Sequence, residues 1–193
     1  MRVAILLAAG ASRRFGAPNK LFARIGGETL LARAIRIARA TPARRLIVVT
    51  GAQNLRVSAE VRRADRRAII LHAAGYREGL GASLRAASGA LRPIDREALV
   101  FLADMPWLAE DQARHLLRRA AQGDDIVRPA YRGRPGHPVL LRGAALASLE
   151  TARGDQGPGR ALGLRARMVP ADRRCVADVD RPGALTRRVP RLR

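Results

Sequence analysis

Short apolar runs and amphipathic stretches take turns along the first two thirds of the chain. The runs "RVAILLA", "RLIVVT", "RAIILHA", "EALVFLA" and "DIVRPA" are suited to buried strands. Between them, residues 29–40, 53–64, 82–91 and 109–121 carry apolar positions at helical spacing. In "LLARAIRIARA", Leu31, Ala34, Ile35 and Ala38 form one stripe, while Arg33, Arg36 and Arg39 recur on another face, the pattern of a helix with a solvated side. Strand and helix in this order predict an α/β domain in three layers, a mostly parallel sheet covered by helices on both faces.

After residue 130 the pattern changes. "YRGRPGHPVLLRG" predicts a turn-rich loop followed by a short strand, Pro138 to Leu141. A helix near 143–152, the loop "GDQGPGR" and a strand-like "ARMVPA" follow, and "DVDRPGALTRRVPRLR" predicts a short helix and a basic end at 187–193. No repeat or low-complexity linker divides the 193 residues, so a single domain over 1–193 is expected.

Composition narrows the function classes. At 48% apolar residues the chain reads as globular, and with 3% aromatics its core must come from Leu, Val, Ile and Ala. The lone Cys175 has no intramolecular partner, which fits a reducing compartment. His72, His115 and His137 show no metal-ligand spacing. The opening "MRVAILLAAGA" shares features with a short signal peptide, but the loop after it and the missing disulfides favour a buried first strand, Val3 to Ala8. A cytoplasmic protein is the expectation, and no apolar run reaches membrane-spanning length. The formal charge of +21 would attract any polyanion. Its arginines are spread along the whole chain with no interleaved aromatics to stack bases, so nucleic acid is not the expected partner.

Of 37 lysines and arginines, only Lys20 is a lysine. It closes "LLAAGASRRFGAPNK", where the first strand runs into a glycine-bearing loop. Ligands of parallel α/β sheets collect at such strand ends. The spacing excludes a Walker A loop: five residues separate Gly10 from Gly16, three more precede Lys20, and Leu21 follows it. The dinucleotide fingerprint G-x-G-x-x-G is absent too. What remains is a small-residue turn, Ala8-Ala9-Gly10-Ala11-Ser12, which lets backbone N–H groups approach a ligand closely, then Arg13, Arg14, Gly16 and Lys20. The two guanidiniums and the ammonium either hold a triphosphate or form a solvated basic loop. Lysine offers a compact point charge where arginine offers a planar fork.

Two acidic features point the same way. "ALVFLADMPWL" is an apolar strand ending abruptly in Asp104, a position from which a carboxylate binds a phosphate-bridging Mg²⁺ or caps a turn. "DVDRPGAL" adds Asp178 and Asp180, which share one side if the segment is extended.

These stretches together resemble the nucleotidyltransferases that activate the molybdenum cofactor. "LAAGASRRFGAPNK" resembles their opening loop and "LADMP" their metal-binding motif, while "GYREGLGASLRAA", "GRPGHPVLL", "GDQGPGRAL" and "DVDRPGAL" keep the family's order over nearly the whole chain. The resemblance implies a Rossmann-like domain of the glycosyltransferase-A-like nucleotidyltransferase type, using an NTP and Mg²⁺. It places Ala8, Ala9 and Gly10 against base and ribose, Arg14 and Lys20 on the triphosphate, and Gly16, Thr50, Gly51, Gly81 and Ser83 around the nucleotide. It implies Asp104 and Asp180 as metal ligands. Arg134, His137, Pro138, Gly154, Asp155 and Arg160 would border the acceptor. "LAAG" is similar to the cytidylyltransferase branch, whereas the guanylyltransferase branch reads "LAGG". The implied reaction is CMP transfer from CTP to molybdopterin with release of pyrophosphate, and the implied partner is a molybdenum hydroxylase such as xanthine dehydrogenase. Guanylyl transfer and transfer to a sugar 1-phosphate stand as alternatives. The chain departs from the family at Ala103 (commonly Gly), Phe15 (commonly Met) and Arg181 (commonly Thr).

Overall fold

The structure is a computed structural model, described here for residues 1–12, 15, 19–155, 163, 165–180, 183 and 185. In chain order its elements are β1 (Arg2–Ala8), the small hairpin β2 (Arg24–Ile25) and β3 (Glu28–Thr29), α1 (Leu30–Arg39), β4 (Arg45–Thr50), α2 (Asn54–Ala64) and β5 (Ile69–His72). Then come α3 (Leu80–Ser88), β6 (Glu97–Leu102), α4 (Gln112–Arg119), β7 (Ile126–Tyr131), β8 (Arg134–Pro135), β9 (Val139–Arg142), α5 (Gly143–Ala147) and β10 (Arg167–Pro170). The main sheet runs β10-β7-β9-β6-β1-β4-β5, with β8 paired to β7.

β1 lies at the centre, its Leu7 level with Val49 of β4 on one side and Leu102 of β6 on the other, both pairings parallel. Its continuous apolar run follows from this position. Ala4, Leu6 and Ala8 face a layer with Leu31 and Ile35 of α1, Val57 of α2 and Leu116 of α4. Val3, Ile5 and Leu7 face the opposite layer, with Leu84 of α3 and Leu146 of α5. A strand buried on both faces has no position to spare for a polar residue, and each buried Leu or Ile contributes about 1.5–3 kcal/mol of transfer free energy. The expected three layers are therefore present.

Four local features differ from expectation. β9 runs antiparallel to β6 and β7. Only residues 132–138 connect β7 to β9, too few for the crossover that a parallel pair requires. The helix expected over 143–152 divides into α5 and a 3-10 turn, Ser148–Thr151. α3 starts two residues early, at Leu80. The arginine face of α1 is more than solvated surface: Arg36 donates to Glu28 at 3.0 and 3.1 Å, which holds the Glu28 carboxyl below its usual range, and Arg39 pairs with Asp65. Cys175 is buried, and its thiol is pushed up to about 11, first by desolvation. Among the described residues no helix is long and apolar enough to cross a membrane. The short helix and basic end expected near the carboxyl terminus lie almost wholly outside the described residues.

Candidate active site

Beside β1 the order of strands reverses: the chain goes from β1 outward through β4 to β5, then returns to β6 on the other side. Loops leaving such a switch point diverge and open a crevice at the carboxyl ends of the strands. Here the crevice is a cleft of about 520 Å³. Ala8, Ala9 and Gly10 form its floor, and Leu102, Ala103 and Asp104 its β6 side. Tyr76, Arg77, Leu80 and Ser83 form the facing wall.

Lys20 reaches this cleft through a clasp at the base of the loop. Ser12, in a left-handed conformation with φ 54°, donates from Oγ to Asn19 Oδ1 at 2.9 Å and accepts from the Lys20 N–H at 3.2 Å. The same Asn19 oxygen caps the 3-10 turn Lys20–Phe22 by accepting from the Leu21 N–H at 3.0 Å. The two polar side chains thus fix where Lys20 leaves the backbone. Its Nζ donates to Asp104 Oδ2 at 2.7 Å and lies 3.4 Å from Asp180 Oδ1.

Asp104 follows β6 directly, and the Ala103 N–H, bonded to Leu7 O at 3.0 Å, carries the parallel ladder to the cleft floor. Asp104 O then accepts from the Val179 N–H at 2.9 Å, drawing the 178–180 segment alongside. Oxygens of Asp104, Asp178 and Asp180 lie within 4.8 Å of one another. Desolvation, then the charges of Asp180 and Asp104, raise the Asp178 carboxyl above the ordinary range. Asp104 Oδ1 is buried with no hydrogen-bond partner among the described residues. A buried carboxylate oxygen left without a donor is costly, and a hard cation is one group that satisfies it.

The remaining expected residues divide. Ser83 lines the cleft. Thr50 and Gly51 sit behind the floor: Thr50 is fully buried, its Oγ1 2.6 Å from Asn54 Oδ1, and a Cβ on Gly51 would lie 2.6 Å from Ala9 O. Their work is to let β4 approach Ala9 closely. Gly81 packs on the Arg153 backbone and donates to Gly154 O at 2.7 Å, away from the lining. Gly79, at φ 114°, admits Asp155 against the start of α3, where Asp155 Oδ1 accepts from the Leu80 N–H at 3.0 Å. Gly154 and Asp155 therefore hold the α3 wall in place, and Asp155 also reaches the cleft.

Arg134, His137 and Pro138 do not line it. Arg134 is exposed on β8 and Pro138 is buried. His137 donates its N–H to Cys175 O at 2.9 Å and sets Nδ1 3.3 Å from Val100 O. Burial pushes its imidazole down to about 4, so it is neutral at physiological pH. Arg14, Gly16 and Arg160 lie outside the described residues. Sequence reasoning passed over Tyr76 and Arg77, which carry no spacing signal, and over the Ser12–Asn19 clasp.

A family model for the MobA-like NTP transferase domain matches residues 4–171. The chain belongs to this family. Its MobA-like domain shares its fold with Rv0371c from Mycobacterium tuberculosis H37Rv, at TM-score 0.78 and 24% identity over 95% of this chain and 94% of that one. A further structure of Rv0371c is a complex with manganese. Molybdopterin-guanine dinucleotide biosynthesis protein A from Archaeoglobus fulgidus aligns at TM-score 0.65 and 17% identity, over 96% of this chain and 95% of that one. In sequence, the bifunctional protein GlmU of Chromobacterium violaceum is 33% identical over 141 residues, covering 72% of this chain and 30% of GlmU. The MobA-like chain spans about a third of the length of the curated relatives it matches. It is a member of the nucleotidyltransferase superfamily.

Proposed function

We propose that this MobA-like chain transfers CMP from CTP to the terminal phosphate of molybdopterin, releasing pyrophosphate, with Mg²⁺ as its metal. The observation that carries the reading is the meeting of Lys20 with Asp104, Asp178 and Asp180 beside the Ala8–Gly10 floor. A cation for phosphate, a set of hard oxygen donors and a narrow floor for a flat base are the parts that phosphoryl-type transfer needs.

The residues fit a divalent metal. Three carboxylates supply hard donors, and Asp104 Oδ1, which has no hydrogen-bond partner among the described residues, suits a ligand role. Asp104 and Asp180 would hold the ion, with Asp178 beside them. Bound there, it would supply neutralisation of charge on the phosphate oxygens. The manganese complex of Rv0371c agrees with a divalent ion in this fold.

The chain's own groups do the rest. The acceptor phosphate is ionised at neutral pH, so its oxygen attacks the α-phosphorus without a general base while the bond to pyrophosphate breaks. His137 does not line the cleft and so is not placed to act as a base there. Lys20, with Arg14 of the same loop, stabilises the leaving pyrophosphate. The Ala9 methyl takes up room on the floor and favours a pyrimidine over a purine. The cytidylated product would pass to a molybdenum hydroxylase of the xanthine dehydrogenase kind.

The test is pyrophosphate release with CTP, GTP, ATP and UTP in turn, each with Mg²⁺ and molybdopterin. CTP giving the highest kcat/KM supports the reading. Preference for GTP reassigns the base, and turnover only when a sugar 1-phosphate replaces molybdopterin reassigns the acceptor.

A further inference from the structure

We infer that the Lys20 ammonium is an exchangeable counterion of the Asp104 and Asp180 carboxylates, displaced toward the nucleotide phosphates when a divalent cation enters. The inference rests on the metal and triphosphate assignments made above. It adds how one side chain serves both ligands in turn.

The Lys20 side chain is 11% exposed, and its ammonium is spent on carboxylates: 2.7 Å from Asp104 and 3.4 Å from Asp180. Oxygens of three carboxylates within 4.8 Å repel one another, and an ammonium among them offsets that repulsion. A divalent cation offsets it better and competes for the same oxygens. The buried Asp104 Oδ1, without a hydrogen-bond partner among the described residues, gives the cation a first oxygen that Lys20 does not hold.

The residue type suits such an exchange. A lysine presents a point charge on a four-carbon stem with rotatable donors, so it leaves one carboxylate and meets another anion by side-chain rotation alone. An arginine would engage a carboxylate with two parallel N–H groups and hold it in a fixed plane. The Ser12–Asn19 clasp fixes the Lys20 backbone, which confines the movement to the side chain. The single lysine among the chain's 37 lysines and arginines occupies this position. Cation and nucleotide then favour each other's binding: the cation frees the ammonium, and the phosphates keep it from returning.

Because the chain has one lysine, amine chemistry reports on it directly. The full chain, without nucleotide, is given a brief reductive methylation at neutral pH with and without Mg²⁺. Peptide mass spectrometry then separates Lys20 from the terminal amine. In parallel, electron paramagnetic resonance counts bound Mn²⁺. We expect saturating Mg²⁺ to speed Lys20 modification about fivefold, in the range for loss of one partly exposed ion pair. A non-hydrolysable CTP analogue added after Mg²⁺ should slow it again. Asp104→Asn should leave Lys20 fast without any cation, and Lys20→Met should bind Mn²⁺ about fivefold more tightly than the parent chain. If Mn²⁺ binds while Mg²⁺ leaves the Lys20 rate unchanged or lower, the exchange is overturned and the metal site stands. If the parent chain binds no Mn²⁺, or Asp104→Asn binds it equally well, the exchange falls together with the metal assignment.

Discussion

At the end of the sheet where the parallel strands begin, Arg45 of β4 pairs with Asp95, just before β6. The Asp95 side chain is 3% exposed, and its Oδ2 also accepts from the Arg92 N–H at 2.8 Å, while Arg45 donates a second bond to Ala90 O at 3.2 Å. At the opposite end, where the strands finish, Lys20 pairs with Asp104, whose side chain is 23% exposed and keeps one oxygen without a donor among the described residues. The charge chemistry is the same and the surroundings are not. One pair has its carboxylate enclosed by protein, with Arg45 17% exposed, and ties the 90–95 turn to the sheet. The other opens into a cleft beside two further carboxylates, so its partners are free to change. A cation–carboxylate pair marks a site only when its environment leaves something unfinished.

Asp104→Asn breaks the open pair at its centre and should have the largest effect. Pyrophosphate release should fall about 1000-fold, equivalent to about 4 kcal/mol on the barrier. The unfolding free energy in urea should change by less than about 1 kcal/mol, because the lost ion pair is partly exposed. An Asp104→Asn protein that turns over at the parent rate removes Asp104 from the chemistry.

The closed pair should respond the other way. Asp95→Ala leaves Arg45 without its carboxylate and should cost about 3 kcal/mol of stability in urea melts, the scale for a broken buried pair. At a temperature where the variant is still folded, kcat should stay within about twofold of the parent. A large loss of kcat in the folded variant would mean that the two ends of the sheet are coupled.

The contrast between these pairs could not be read from residue types, but much of the frame around them could. The five apolar runs became β1, β4, β5, β6 and β7. The cause is plainest in β1, β4 and β6, buried on both faces and so apolar nearly throughout, while β5 is a half-buried edge and β7 admits Arg128. Asp104 stood out as a charge at the mouth of such a run, and Lys20 as the single lysine closing the loop that follows one. Less legible were features that depend on through-space partners. β2, β3 and β8 are two residues each, too short to carry a period. The resemblance puts Thr50 and Gly51 around a nucleotide, yet their contacts in the fold are with Asn54 and Ala9. Asp155 follows the same logic, since its bond is to Leu80, 75 positions away.

His137 sharpens the comparison through pH. Its imidazole titrates at about 4 in the folded chain and near 6.5 when unfolded, so the unfolded state binds the proton first as pH falls. Stability from this group is complete above about pH 6.5 and is lost progressively toward pH 4, about 2 kcal/mol of it between pH 7 and pH 5. His137→Asn, which keeps a donor for Val100 O, should flatten that part of the pH–stability curve. If the slope survives the substitution, the acid sensitivity belongs to other groups.

The smallest and most discriminating change is Lys20→Arg, which keeps the charge of the open pair and alters its shape. Were Lys20 merely a structural partner of Asp104, as Arg45 is of Asp95, the arginine would serve as well or better, since its fork matches a carboxylate. If the ammonium has to leave the carboxylates for the phosphates, the fork is a handicap, because it holds Asp104 with two N–H groups and moves as a rigid plane. The expected outcome is about a tenfold loss in kcat/KM, equivalent to about 1.4 kcal/mol, with urea stability equal to or above that of the parent. Full activity in Lys20→Arg would place the two pairs in the same structural class and leave the single lysine without a chemical reason.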